Sequence, residues 1–436
     1  MAVCLAGLVL LAHSVQAQTI IRDTEIEETL DDMMTPLLRA AGMPEGAVEI
    51  YVLRDPSVSA FVSGGANIFI YTGLIEAMDR VDMLQAVMAH ELAHITSGHQ
   101  ARRGINAQNA NTASAVGILL GIAAGLAGAP EAGIAVVAGS QRSVQRSFFA
   151  YTRSEEAGAD QAGFGFMDRA GINPEAMIDV LNLFRGQDLV SERYQDPYAR
   201  SHPLSSNRIS LLEGRIAKAR SKGAAPPPDL VDRYARMKGK LDGFLLSPRD
   251  VLRRQPRPDS VADQVARAVA LHRKPDLEEA LSAMDALIAQ EPRNPYHYEL
   301  KGQFLLEDGR PAAAIPYYER ALSLKPDAPM ISVGLGRSLL ALDTPETNAR
   351  ALKILTESRD GAVGTPHAMR ALAMAHARAG NEGYAASVTA ERMVLARRFS
   401  DAERFATQAA SLLPNGSPEW IRVQDLLRQI KRRGAQ

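Results

Sequence analysis

Apolar positions in the N-terminal part of the chain follow first a helical period, then a strand-like one, and then a helical one again. Residues from about 25 to 52 have the pattern of a helix followed by a short strand, Val48 to Leu53. The segment from Ser57 to Tyr71 is rich in β-branched and aromatic residues, which predicts a hairpin or the edge of a sheet. A capping-box pattern at Asp82 then predicts a helix that runs through about Ser97.

A short apolar run opens the chain. Val3 to Ala12 is too short to span a bilayer, and Val15 and Ala17 occupy the −3 and −1 positions of a signal-peptidase site. We therefore expect a signal peptide over 1–17, cleaved after Ala17, and a mature protein in the periplasm. Cys4, the only cysteine, would leave with the signal, so no disulfide is expected. Because no Lys or Arg precedes the apolar run, a buried N-terminal helix is the alternative.

A longer apolar stretch covers residues 112–139. It consists almost entirely of Ala, Gly, Ile, Leu and Val, but Pro130 and Glu131 interrupt it. Each half has about a dozen residues, which is too few for a helix that crosses a bilayer, so we expect a helical hairpin packed on its own domain. Membrane contact, either peripheral or embedded, is the alternative that hydropathy leaves open.

The rest of the chain is expected to be helical and ends in a repeat. Helices are predicted at about 153–170, 174–186 and 205–221, with proline-rich linkers at 224–229 and 254–259. Beyond Ser260, small residues and prolines recur every 34 residues: Ala268, Gly302 and Gly336; Ala280 and Ala314; Pro292 and Pro326. This interval predicts three or four tetratricopeptide repeats between about 262 and 432, and a general Ala-rich bundle is the alternative.

Length and charge narrow the functional classes. A chain of 436 residues is expected to form two or three domains. Its net charge of −1 offers no attraction for nucleic acid, so binding of nucleic acid is not expected. Together with the patterns above, we predict a signal peptide over 1–17 and a mainly α domain with a small β-sheet over 18–255. An all-α tetratricopeptide solenoid is predicted to follow over 260–432.

The helix predicted to begin at Asp82 contains the clearest chemical motif, His90-Glu91-Leu92-Ala93-His94. A spacing of four places both imidazoles on one helix face, one turn apart, where they can share one zinc ion. Glu91 projects near the remaining coordination position, where a carboxylate can take a proton from water and pass it to a leaving amine. The motif therefore predicts a zinc metalloprotease with one Zn²⁺ per chain, and two incidental histidines are the alternative.

A catalytic zinc site usually has a third protein ligand. Glu156 and Asp160 lie on the helix predicted at 153–170 and share one face, whereas Glu155 is turned about 100° away by the helical geometry. Glu156 is therefore the expected ligand. Asp160 is expected to accept a hydrogen bond from the N–H of a ligand histidine. The alternative is an acidic helix face exposed to solvent.

These motifs resemble a known family. His-Glu-x-x-His and Glu-x-x-x-Asp, with Ala60-Phe61 and Thr72-Gly73-Leu74-Ile75 upstream, are similar to the HtpX and CAAX-prenyl-protease type of zinc metallopeptidase. The resemblance implies a zincin-like α+β domain. It also implies that relatives with a signal peptide and repeats degrade misassembled outer-membrane proteins and help their assembly. Polypeptide substrates are then expected, with an outer-membrane assembly machinery as a partner of the repeats.

The resemblance also assigns two residues of the segment Ser201-His202-Pro203…Arg208. It implies that His202 lies on a loop that plugs the site as a fourth zinc ligand and holds the enzyme latent. By the same analogy, Arg208 would face the active site and stabilise charge on the substrate or oxyanion. On the residues alone, a loop histidine and a surface arginine are the alternatives.

Two functions follow from these residues. In the first, an extended substrate adds to an edge strand at Ile68, Phe69, Ile70 and Tyr71, and Glu91 activates the attacking water. In the second, the protein is a chaperone or adaptor whose metal site is structural or kept shut. His99 follows His94 by five residues, and a continued helix would point it away from the ligand face, so no direct role is expected.

Overall fold

The computed structural model describes residues 20–63, 65–99, 153–186, 202, 206–218, 223–254, 259–362 and 365–434. The described residues form two compact units. The first comprises those up to Ile21 and those from Met34 to Ala225, and the second comprises Arg22–Met33 and those from Pro226 to the C-terminus. The predicted signal peptide and the apolar stretch 112–139 lie outside the described residues.

The first unit combines a small sheet with helices. Its strands are β1 (Ile20–Ile21), β2 (Glu49–Leu53), β3 (Ala60–Ser63) and β4 (Asn67–Tyr71). Its helices are the second half of α1 (Thr24–Ala41), then α2 (Thr72–Ala77), α3 (Val81–Thr96), α4 (residues 153–170), α5 (Glu175–Leu183) and α6 (Ser206–Ile216). Mainly helical structure with a small sheet confirms the predicted fold class.

The four strands are ordered β1-β2-β4-β3. β4 is parallel to β2 on one side and antiparallel to β3 on the other, so the predicted hairpin over Ser57–Tyr71 is confirmed. The prediction that Ile68, Phe69, Ile70 and Tyr71 form the edge is wrong, because β4 lies between β2 and β3, and three of these residues, Ile68, Phe69 and Ile70, pair with both neighbours. β3 forms the end of the sheet among the described strands, and it packs against α3.

Helix α3 is buried along nearly its whole length. Every residue from Val81 to His94 is shielded from solvent, which places polar side chains in the interior. The helix that was predicted from Asp82 is confirmed, but its capping box is wrong. The N-cap is Arg80, and Asp82 lies inside the first turn, where its carboxylate accepts a hydrogen bond of 3.0 Å from Arg80 Nε. A negative charge in the first turn still interacts favourably with the helix dipole and stabilises α3.

A glycine lets α4 approach α3 closely. A Cβ atom on Gly163 would lie 3.2 Å from the Ala89 carbonyl oxygen and 3.3 Å from the His90 backbone nitrogen. Backbone atoms inside a helix cannot move aside as a flexible side chain can. Gly163 therefore fixes how near the acidic face of α4 comes to the histidines of α3.

Replacement of Gly163 by Leu is expected to destabilise the protein by about 1–3 kcal/mol, because the side chain would force the two helices apart. Gly158, on the same helix, has nothing within 4 Å of its would-be Cβ, so Gly158→Leu is the matched control. That variant is expected to keep or raise stability, since Leu is the better helix former. Urea unfolding of both variants measures the difference, and equal stabilities would contradict the close approach.

The second unit is helical and regular. After α7 (Pro228–Leu245) and α8 (Pro248–Arg254), its described helices form five successive pairs. These are α9 (Val261–Arg273) and α10 (Leu277–Gln290), α11 (Pro295–Glu307) and α12 (Pro311–Leu324), α13 (Pro329–Leu342) and α14 (Pro345–Glu357), α15 (Pro366–Arg378) and α16 (Glu382–Leu395), and α17 (Phe399–Leu412) and α18 (Pro418–Gly434). The sequence predicted three or four pairs.

Small residues account for the packing of the repeats. The Tyr318 ring lies against Gly302 and Gly334, where a Cβ atom would come within 3.1 Å and 2.4 Å of it. Gly239 and Gly243 of α7 allow a similarly close approach to α9. A Cβ atom on Gly239 would lie 2.3 Å from the Ala262 carbonyl oxygen, and one on Gly243 would lie 2.7 Å from Val269 Cβ. Because α7 packs along α9 in this way, it groups with the repeats, whereas the predicted boundary at 255 had placed it in the first domain.

Among the described residues, the helices are too short or too polar to cross a membrane.

Candidate active site

Helix α3 places two imidazoles and a carboxylate in the interior. His90 and His94 are one turn apart, and their Nε2 atoms are separated by 3.1 Å. Glu91 lies between them in sequence and is also buried. Because an i, i+4 spacing puts two side chains on one helix face, the sequence predicted this pairing correctly.

Helix α4 brings two carboxylates to the same place. Oxygens of Glu156 lie 3.2 Å from His90 Nε2 and 3.4 Å from His94 Nε2. Asp160 Oδ1 lies 3.1 Å from His90 Nδ1. A carboxylate only accepts, so His90 Nδ1–H donates to Asp160, and this hydrogen bond directs Nε2 towards the other three side chains. Glu156 and Asp160 therefore occupy the positions expected from the sequence.

His202 completes the cluster from a separate segment. Its Nδ1 atom lies 2.9 Å from Glu156 Oε2 and 3.2 Å from His90 Nε2. On its other side, Nε2 lies 3.4 Å from Glu91 Oε1. The imidazole thus contacts both the proposed ligands and the proposed base. Its neighbours Ser201 and Pro203 lie outside the described residues.

Arg208 is buried beside the cluster and holds Asp160. Its Nε and Nη2 atoms donate to the two oxygens of Asp160 at 2.6 Å and 2.8 Å, a bidentate pair. Nη1 donates to the His202 carbonyl at 3.3 Å. The guanidinium therefore positions Asp160 and the backbone of His202, and its predicted role at an oxyanion stays a prediction.

The sequence analysis missed His99. This side chain is buried, and its Nδ1 lies 2.9 Å from His94 Nδ1, so it supports His94 on the side away from the cluster. The helical extrapolation failed because α3 ends at Thr96 and Gly98 has a φ of 62°, which reverses the chain. The sequence feature that could have revealed this contact is Gly98, a glycine that ends the helix between His94 and His99.

The four side chains His90, His94, Glu156 and His202 fit a divalent cation. Each offers one ligand atom, and these atoms all lie within 4.8 Å of one another. Zinc–nitrogen bonds of 2.0–2.1 Å in a tetrahedron imply ligand separations of about 3.3 Å. Separations of 3.1 Å between His90 and His94 and of 3.2 Å between His90 and His202 agree with that value. Two imidazoles and a carboxylate are also one of the donor sets found in catalytic zinc sites.

Burial and charge act together on the titration of these groups. Burial alone would lower the pKa of His90, but hydrogen bonds with Asp160 and Glu156 raise that pKa to about 10. Burial would raise the pKa of Glu156, yet the neighbouring His202 and His90 hold it well below its ordinary value. Burial would also raise the pKa of Asp160, but the hydrogen bonds and charge of its neighbours, chiefly Arg208, lower that pKa. Both carboxylates are therefore ionised at neutral pH, as a cation site requires.

Comparison with known proteins relates two parts of the chain to two family models. The model of peptidase family M48 matches residues 21–216, which contain the whole cluster, and the tetratricopeptide repeat model matches residues 265–329 and 299–362. The matched segment, residues 21–216, is similar to peptidase family M48. It is a metalloprotease domain followed by tetratricopeptide repeats, as the sequence resemblance predicted.

Several curated relatives extend over both parts. The chain is 25% identical over 417 residues to the beta-barrel assembly-enhancing protease of Yersinia pestis. The aligned residues make up 95% of this chain and 85% of that protein. It is 26% identical over 426 residues to the protein of the same name in Escherichia coli strain K12, with the same coverage. The mitochondrial metalloendopeptidase OMA1 of Schizosaccharomyces pombe is 27% identical over 196 residues, covering 43% of this chain and 52% of that protein.

Proposed function

We propose that this protein is an exported zinc endopeptidase that acts on outer-membrane β-barrel proteins in the periplasm. The observation that carries the proposal is the convergence of His90, His94 and Glu156 beside the buried carboxylate of Glu91. The names of the relatives that span 95% of the chain support the assignment to β-barrel assembly. The signal peptide over 1–17 and cleavage after Ala17 stay part of this proposal.

The residues divide the work between binding and proton transfer. A zinc ion held by His90, His94 and Glu156 would lower the pKa of water and polarise the scissile carbonyl. Glu91 accepts the proton of the attacking water and returns it to the leaving amine. Asp160, held by Arg208, orients His90, and His99 orients His94 in the same manner.

The end of the sheet offers a place for the substrate. β3, rather than β4, is a terminal strand of the described sheet, at the opposite end from β1, and it packs against α3, so an extended polypeptide adds to Ala60–Ser63. The Phe61 ring stacks on Phe69 with centroids 5.1 Å apart, and Phe69 stacks on Tyr51 at 5.3 Å. A substrate strand beside β3 would extend this aromatic row, which favours apolar or aromatic side chains in the alternating positions of a β-strand.

The position of His202 supports latency and keeps an adaptor function as the second candidate. Its imidazole lies between Glu156 and Glu91, where a substrate carbonyl and the attacking water have to bind. An adaptor would bind unfolded β-barrel proteins through the repeats with this site permanently shut. Metal analysis of the purified protein, combined with cleavage of an unfolded outer-membrane protein, separates the two functions. Stoichiometric zinc with zinc-dependent cleavage supports the endopeptidase, and absence of both refutes it.

Removal of the metal is expected to abolish cleavage, and zinc is expected to restore it where magnesium does not, because imidazole ligands favour zinc over magnesium. The measurement is proteolysis of the unfolded substrate after treatment with a chelator and addition of either ion. Cleavage that persists in protein shown to lack metal would contradict the proposal.

Replacement of Asp160 by Asn is expected to weaken zinc binding by about 10- to 100-fold, because His90 loses its carboxylate acceptor and Arg208 loses its partner. Zinc titration against a competing chelator measures the change. Asp168→Asn, on the same helix but remote from the cluster, is the matched control and is expected to bind zinc like the wild type. Equal affinities in both variants would argue against an orienting role for Asp160.

A further inference from the structure

The second unit contains a cavity whose walls are mainly apolar. It has a volume of about 480 Å³ and is lined by residues of α13 to α16 and α18. Leu355, Leu372 and Val388 form part of its buried lining, and Leu426 is half-buried against it. This volume accommodates two or three apolar side chains of a ligand, within the range of small-molecule and peptide pockets.

One arginine of the cavity is neutralised by the protein itself. Arg359 donates to Glu391 at 2.9 Å and 3.0 Å and to Glu419 at 3.0 Å and 3.1 Å. Glu419 also accepts from the Ser387 hydroxyl at 2.6 Å. These contacts join the turn after α14 to α16 and α18, so Arg359 stabilises the packing of these helices.

Two further arginines line the same cavity and are exposed. Arg397 follows α16, and Arg422 lies on α18. Arg422 Nε lies 3.9 Å from Glu419, a carboxylate that Arg359 already occupies. The lining of the cavity contains three arginines and one carboxylate, Glu391, and Glu419 lies against Arg359 and Arg422, so the cavity carries an excess of positive charge.

The backbone of Arg397 is unusual for a side chain of this size. It has a φ of 56°, the left-handed conformation that favours glycine. Arg397 N–H donates to the Val394 carbonyl at 3.0 Å and Arg398 N–H to the Met393 carbonyl at 2.9 Å, the two bonds of a Schellman motif that ends α16. The same position after α11 and α15 is occupied by Gly309 and Gly380, with φ of 77° and 75°. Asp343 after α13 is another non-glycine residue in this conformation at a described helix end of the repeats, with φ of 54°. A left-handed arginine beside a cavity points to a role for its side chain.

We propose that this cavity binds the C-terminal end of an extended polypeptide, with the apolar last side chain inside and the terminal carboxylate on Arg397 and Arg422. A terminal residue brings an apolar side chain and a negative charge into immediate proximity, which matches an apolar interior with cations at one side. Guanidinium groups pair with carboxylates through charge-assisted, often bidentate hydrogen bonds. The proposal concerns recognition by the repeats and does not depend on proteolysis.

The test uses the full-length Glu91→Gln protein, so that cleavage cannot consume the probe. Its ligand is an N-terminally labelled octapeptide that ends in Leu-Phe with a free carboxylate, and binding is measured by fluorescence anisotropy. Amidation of the C-terminus is expected to weaken binding about tenfold, as is exchange of the final Phe for Asp. Equal binding of the acid and the amide would overturn the proposal.

Arg397→Gly is the decisive protein variant, because glycine fits the left-handed position better than arginine and the fold is kept. It is expected to retain the unfolding temperature and to bind the peptide about tenfold more weakly. Arg428→Gln, an exposed arginine of α18 that pairs with Asp425, is the matched control and is expected to bind normally. Weakening by both variants alike, or by neither, would overturn the proposal. So would displacement of the peptide by free palmitate at lower concentration than by the unlabelled peptide, which would make the cavity a fatty-acid site.

Discussion

Replacement of Glu91 by Gln is expected to lower kcat/KM for proteolysis by about 10³-fold, because a positioned general base contributes about 10²- to 10⁴-fold. The amide keeps the size of the side chain but cannot take a proton from water. Zinc content is expected to stay unchanged, since Glu91 is not among the four side chains that could hold the ion. Loss of activity without loss of metal separates proton transfer from metal binding.

The measurement combines single-turnover cleavage of an unfolded β-barrel substrate with metal analysis of the same preparation. Glu155→Gln is the matched control, because Glu155 carries the same charge near the cluster on α4 without being among the metal-binding side chains. It is expected to cleave like the wild type. A folded, metal-loaded Glu91→Gln variant that keeps its activity would remove the base from the mechanism.

Local helix geometry explains why the metal-binding residues were predictable. His90 and His94 on α3, and Glu156 and Asp160 on α4, are each related by a spacing of four, and such pairs share a face whatever the helix packs against. The choice of Glu156 over Glu155 follows from the same rotation of about 100° per residue. Only the meeting of the two helices had to be assumed, and it depends on Gly163.

Features that depend on contacts distant in sequence were not predictable. The pattern at Ile68 to Tyr71 identifies a strand, but only its parallel pairing with β2 shows that β4 is central and that β3 is terminal. Likewise, the spacing to His99 was measured along a helix that Gly98 had already ended. Arg208 illustrates a third case, since a sequence does not reveal that its guanidinium binds Asp160.

The repeats show the limit of a fixed period. α9, α11 and α13 begin at Val261, Pro295 and Pro329, which keeps the interval of 34 residues, but α15 begins at Pro366. The 3-10 helix Asp360–Ala362 lies in the added connection and interrupts the interval of 34 residues. The sequence therefore predicted three or four repeats, because two of the five helix pairs are out of phase.

Replacement of His202 by Ala is expected to raise proteolysis about tenfold or more. This magnitude is expected if His202 leaves the site open in about 10% or less of the wild-type molecules. The imidazole lies 2.9 Å from Glu156 Oε2, 3.2 Å from His90 Nε2 and 3.4 Å from Glu91 Oε1. A substrate carbonyl and its attacking water need the same space. Zinc is expected to remain bound in the variant through His90, His94 and Glu156, the three protein ligands that a catalytic site requires.

The double variant His202→Ala, Glu91→Gln provides the control, because any gained activity must disappear with the base. Cleavage that is unchanged in a metal-loaded His202→Ala variant would refute the plug while leaving the endopeptidase intact. If neither the wild type nor this variant cleaves, yet both bind unfolded β-barrel proteins and aid their assembly, the adaptor function is correct. An increase that requires Glu91 leaves one explanation, in which the loop carrying His202 holds a competent protease closed until a substrate or partner displaces it.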